Sequence, residues 1–292
     1  MKNKLDIFSK WYKRAAVRSA PQRVIQVDQS SKFFSKNLAP ILGHPTIDCL
    51  DTEKRSKIEI QCLYQYLQFT EYLETALVNK VILKIMNNAY KITFMPQIKQ
   101  SAYKIYCDEA YHALQAHDTI KQITTISGQK PLQLPIVIGS RLEQLKQACP
   151  ITIRPIFDLF FVCVAETLVS QELREHMKDQ QIHESIQAIM RDHAKDEATH
   201  ALFFKEVLIH LKQQLPATSY QWFLETVPKF LEAYLLPNAE NLTKILMPYL
   251  NHKELEDVLA VTLEPKTTER FIAQAATQLY RILKDIEKGI FS

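Results

Sequence analysis

The chain has 292 residues with 47% hydrophobic content, enough to bury a sizeable core. Four glycines against 13 prolines argue against a hairpin-rich sheet and for long helices with abrupt ends. The 36 basic and 32 acidic residues leave a net charge of +4, a mild excess, and no nucleic-acid partner is expected.

The N-terminal basic run of Lys2, Lys4, Lys10, Lys13, Arg14, Arg18 and Arg23 reads as a solvated face. A short helix is expected near Ile7–Ala20, followed by an irregular wrap in which Pro21, Pro40 and Pro45 break any longer element. No apolar leader segment is visible there. Five cysteines, at 49, 62, 107, 149 and 163, form no metal-type pair. Cys107 and Cys163 fall in predicted helices, where small buried thiols are common, and a reducing cytoplasm fits this usage best.

Asp51-Thr52-Glu53 reads as a helix start, with a capping oxygen followed by acid in the first turn. From there to about Asn87 a helical stripe runs through Ile60, Leu63, Leu67, Thr70, Glu74, Leu77, Val81 and Ile85. Glu74 occupies a core slot in that stripe, and a carboxylate there is costly unless paired or metal-bound. Glu71 lies one turn earlier, in line with Tyr64, Val78 and Ile82, so periodicity alone leaves both acids open. Asn87-Asn88 is a helix stop, and a turn near Tyr90–Lys91 leads to a second helix from about Pro96 to Ile120.

Residues 121–154 hold Gly128, Pro131, Pro135, Gly139 and Pro150 and read as a long connection with a short helix around Arg141–Ala148. A third helix begins near Pro155. Its apolar stretch, Ile156 to Val169, contains Asp158 and Glu166 and is too short to span a bilayer, so no membrane association is expected. Glu166 falls in the buried half and Glu172 in the polar half, which assigns a bridging role to Glu166. A turn at Asp179–Ile182 and a fourth helix from about His183 to Leu215 follow. Pro216, Pro228, Pro237, Pro248 and Pro265 then divide the tail into modest helices, of which Glu264–Lys288 should be the longest. The expectation is an all-α chain forming one domain over 1–292. Its core bundle spans about 52–215, and capping helices occupy about 217–288.

One phrase occurs twice, Asp108-Glu109-Ala110-Tyr111-His112 and Asp196-Glu197-Ala198-Thr199-His200. Positions i and i+3 share a helix face, so each phrase aims a carboxylate and an imidazole at one point. His193 lies on the same face as Glu197 and His200. Two Glu-x-x-His helices plus a lone Glu from each of two others form the ligand pattern of ferritin-like dinuclear sites. Four buried carboxylates would repel one another, and two divalent cations would neutralise them. Mixed carboxylate and imidazole ligands suit iron and dioxygen chemistry, with manganese an alternative. Asp108 and Asp196 are placed to orient ligand histidines across the bundle, since bound imidazoles usually donate their other N–H to a carboxylate. Tyr106 and Tyr111 flank the phrase as radical or hydrogen-bonding candidates, with simple packing the plainer role. Phe157, Phe160 and Phe161 can be read as an aryl pocket or as core, and Arg154 as a substrate anchor or a surface residue. The other histidines, His44, His117, His176, His183, His210 and His252, lack matched ligand spacing.

Thr70-Glu71-Tyr72-Leu73-Glu74, Glu109-x-x-His112, Glu166 and His193-x-x-x-Glu197-x-x-His200 together resemble the para-aminobenzoate N-oxygenase (AurF-like) family of non-haem di-iron enzymes. The resemblance covers roughly residues 60–210, and the extra histidine is its discriminating feature. It favours Glu74 over Glu71 and implies the metal set Glu74, Glu109, His112, Glu166, His193, Glu197 and His200. It further implies a ferritin-like four-helix bundle, usually a homodimer, with two iron ions that activate O2. The expected reaction oxidises a small-molecule amine to a hydroxylamine, and on to nitroso or nitro products, in a biosynthetic pathway. Electrons would come from an external donor. The competing expectations are a di-iron oxygenase acting on carbon and an iron-handling ferroxidase.

Overall fold

The computed structural model describes residues 7–26 and 32–290; Lys2 and Lys4 of the basic run lie outside them. Among the described residues there are helices and no strand, an all-α bundle as expected. Helix α1, Thr52–Tyr72, starts where Asp51 accepts a hydrogen bond from the Lys54 amide at 2.9 Å. The rod then widens into a π-turn at Leu73–Val78, where the Asn79 amide reaches the Glu74 carbonyl. The Thr75 hydroxyl donates to the Glu71 carbonyl at 2.6 Å, which occupies an acceptor beside the disturbed ladder. Helix α2, Asn79–Met86, completes the rod. The extra residue in the turn moves Leu77 off the buried stripe and brings Val78 into its place. The rod ends at Asn88, whose φ of 52° is a left-handed cap.

Helix α3 runs Pro96–Ser127, beyond the expected end, and stops at Gly128, whose φ of 68° suits a residue without a Cβ. The long connection carries α4, Ile138–Ala148. Helices α5, Phe157–Met177, and α6, Glu184–Gln214, form the second antiparallel pair. The α1–α2 rod packs on α3, and α3 crosses to α6, which brings the four long rods around one interior.

Two expectations at the chain ends need correction. The N-terminal helix near Ile7–Ala20 is two single turns, Trp11–Arg14 and Ala16–Ser19, broken by the extended backbone of Ala15. The tail helix Glu264–Lys288 is also two pieces, α10 at Pro265–Ala275 and α11 at Thr277–Glu287. The longest tail helix is instead α7, Ala217–Leu235, which continues through Pro228. Pro228 is exposed, so water can take the carbonyl its missing N–H leaves open. Burial of Phe223, Val227, Phe230 and Leu231 on the other face holds the helix. Those side chains meet Phe157, Phe160 and Phe161; Phe160 stacks on Phe223 at 4.5 Å. That aromatic row is therefore core between α5 and α7, with no part in an aryl pocket. Helices α8 (Ala239–Leu246) and α9 (His252–Thr262) complete the tail.

Candidate metal centre

Helical spacing puts Glu109 and His112 on the inner face of α3, and His193, Glu197 and His200 on that of α6. The α1 rod delivers Glu74 at its π-turn and α5 delivers Glu166. All seven side chains are buried. Glu71, by contrast, is 42% exposed and lies 3.7 Å from His117.

Ligand-capable atoms of Glu74, His112, His193 and Glu197 all lie within 4.8 Å of one another, and so do those of Glu109, Glu166, Glu197 and His200. The two groups share Glu197. His193 Nε2 is 3.1 Å from Glu74 and 3.4 Å from Glu197. His112 Nδ1 is 3.4 Å from both Glu109 and Glu197, while His200 Nδ1 is 2.9 Å and 3.1 Å from the same two acids. Glu166 reaches only His200 among the three histidines, at 3.9 Å. Glu166 and Glu109 each belong to one group, and Glu197 is the acid in reach of both.

The outer nitrogens are held crosswise. His112 Nε2 meets Asp196 and His200 Nε2 meets Asp108, each at 3.2 Å, so either phrase steadies the other's histidine. Each Asp has a second donor from the N-terminal segment. Trp11 Nε1 donates to both oxygens of Asp108 at 2.9 and 2.8 Å, and the Ala16 amide donates to Asp196 at 2.9 Å. Sequence reasoning did not find Trp11 or Ala16, because nothing local links them to partners so distant in the chain.

Burial, only partly offset by His193, pushes Glu74 up to about 7. Burial and repulsion from Glu197 and Glu109 drive Glu166 well above the carboxylate range. For Glu197 burial opposes ionisation, yet His200 and His193 outweigh it and hold the acid well below that range. Several inward atoms are buried without any hydrogen-bond partner: Glu74 Oε2, both oxygens of Glu109, His112 Nδ1, Glu166 Oε2, His193 Nε2 and Glu197 Oε2. Such atoms are expensive unless a cation satisfies them. This donor set fits a pair of divalent metals.

A cavity of about 230 Å³ is walled by Phe34, Tyr66, Phe69, Leu134, Tyr234 and Phe271, and none of the seven inward side chains lines it. Tyr66 ties the two spaces together. Burial and then the charges of Glu172, Glu74 and Glu197 raise its phenol well above the ordinary range. Glu172, half-buried, also lines this cavity. Tyr106 is an exposed aromatic, Arg154 is spent on the Gln147 carbonyl at 3.0 Å, and Cys107 is exposed, so none of these serves the interior.

Most of the other histidines have local roles. The Nδ1 atoms of His44 and His183 cap helices, and those of His117 and His252 face acids on the surface. His176 is fully buried against Phe34 with neither ring nitrogen paired, and burial lowers it to about 4, opposed by Asp179. Since the unfolded imidazole protonates near 6.5, the unfolded state binds more protons between these values. Stability that is full above that window is lost as the pH falls through it, by about 3 kcal/mol. Urea unfolding at successive pH values should show the His176→Leu variant losing that much less than the parent.

The sequence model of the family described as P-aminobenzoate N-oxygenase AurF matches residues 7–286. The match begins ahead of Trp11, spans all seven inward side chains and runs into the last helix. The chain belongs to the p-aminobenzoate N-oxygenase family.

Proposed function

We propose that this chain is a non-haem di-iron oxygenase that uses O2 to convert a small-molecule amine to its hydroxylamine, with further oxidation to nitroso or nitro products. The observation that carries this reading is the pair of four-ligand groups sharing Glu197, buried inside a member of an N-oxygenase family. In it, Glu74, His112 and His193 would hold one iron and Glu109, Glu166 and His200 the other, with Glu197 offered to both. When bound, the iron pair supplies the electron-transfer steps and dioxygen activation that no side chain here provides.

The protein's own contribution is placement. Asp108 and Asp196 keep the Nε2 protons of His200 and His112 outward, which leaves both Nδ1 lone pairs facing the centre. The cavity walls orient the amine and exclude bulk water from the reacting nitrogen. Reducing equivalents come from an external donor, and the working form is a homodimer. A reducing cytoplasm suits the five cysteines, all of them free. No helix among the described residues is long and apolar enough to cross a membrane.

The test is anaerobic loading with ferrous iron, then a reductant, isotopically heavy dioxygen and para-toluidine, with products read by mass spectrometry. Label on nitrogen is expected. Label only on carbon would replace the reading with carbon oxidation, and failure to take up metal would remove both.

A further inference from the structure

The walls of the cavity that Tyr66 lines are largely apolar, which makes its acidic residue conspicuous. Glu172 sits on α5, six residues beyond Glu166, and lines the cavity. Among the described residues its one hydrogen bond comes from the Tyr234 hydroxyl, at 3.1 Å to Oε2, and no lysine or arginine pairs with it. Arg141, the cation on the cavity wall, is committed elsewhere. Its Nη1 donates to Leu236 O at 2.7 Å and Ala233 O at 3.3 Å, and its Nη2 to Pro237 O at 3.5 Å, closing the end of α7. An acid in such a place is costly unless something cationic meets it.

We propose that Glu172, oriented by Tyr234, is the specificity residue of the substrate chamber. It anchors a second, cationic amino group of the substrate while the reacting nitrogen lies toward the cluster. This rests on the oxygenase reading and adds the substrate class, an amine with an apolar body and a distal ammonium group.

Three physical points converge on that class. Burial holds Glu172 near 7, so an arriving ammonium tips it fully to the anion, whereas a carboxylate would meet a like charge or an acid that must stay protonated. Phe69 stands edge-on to Tyr234 at 5.1 Å, and with Tyr66 it offers aromatic surface to a cation. Six residues of α-helix rise about 9 Å, so the distance along α5 from Glu172 to Glu166 is on the scale of one aromatic ring and a methylene. The p-aminobenzoate of the family description carries the opposite charge at that end.

The test is isothermal titration of the purified protein with para-aminobenzylamine, para-toluidine and para-aminobenzoate. Para-aminobenzylamine should bind at least about tenfold tighter than either of the others. Glu172→Gln, which keeps the shape and the Tyr234 contact, should erase that preference, and Tyr234→Phe should narrow it. Circular dichroism checks each variant's fold; if Glu172→Gln does not fold, the parent ranking and Tyr234→Phe decide. A parent preference for para-aminobenzoate, or a Glu172→Gln variant that binds para-aminobenzylamine as tightly as the parent, overturns the proposal. Glu172-dependent binding of para-aminobenzylamine without N-oxidation in the iron-loaded protein leaves this anchor standing and removes only the oxygenase reading.

Discussion

Glu197→Ala is expected to strip both metals at once, taking bound iron from two per chain to a small fraction and N-oxygenation down by at least about a thousandfold. The reason is position. Glu197 offers an oxygen to both ligand groups and approaches all three histidines, at 3.4 Å from His112 and His193 and 3.1 Å from His200. Glu74 belongs to one group alone. Glu74→Ala should therefore lower one occupancy more than the other, leaving close to one iron per chain. Elemental analysis after anaerobic loading reads both variants, with turnover measured on the same samples. Equal, near-complete retention of iron in Glu197→Ala would sink the shared-ligand assignment.

The second large effect concerns carboxylates that touch no metal position. Asp108→Asn and Asp196→Asn should each weaken iron affinity about tenfold to a hundredfold. Each acid fixes the outer nitrogen of the opposite phrase's histidine and makes that imidazole a better donor through its charge. An amide of the same shape keeps the packing and loses the charge. The two sites contact different histidines, yet those histidines share Glu109 and Glu197, so the double variant should depart from the sum of the singles. Competition against a chelator gives the affinities. Metal-free melting temperatures separate a tuning role from a merely structural one, because tuning leaves them close to the parent's. Parent-like affinity in both single variants would remove the role.

Much of this arrangement was legible because helical geometry is local. The spacing of Glu109 to His112 and of Glu197 to His200 sets a common face whatever the rest of the chain does. The places of the turns near Tyr90 and Asp179 follow from antiparallel rods that must bring their acids level. What depends on contacts between rods was harder. Glu166 reads as a bridge because it falls in the buried half of its helix, but which acid lies in reach of both ligand groups depends on height along the bundle, and that acid is Glu197. Glu172 reads as solvated because Gln171, Arg174 and Glu175 surround it in sequence; Tyr234, on a tail helix, changes its environment. Pro228 reads as a helix break, yet tertiary burial overrides a single missing hydrogen bond. The π-turn at Leu73–Val78 leaves no periodic signature, since one extra residue looks like ordinary drift in the stripe.

The two short N-terminal turns act on the interior from outside it. The Trp11 indole and the Ala16 amide occupy the same carboxylates that steady His200 and His112. Each such donor draws charge from its Asp and so lowers the basicity passed on to the imidazole behind it. Without those two turns Asp108 and Asp196 would lose these donors, and His200 and His112 would face acids whose charge is undivided.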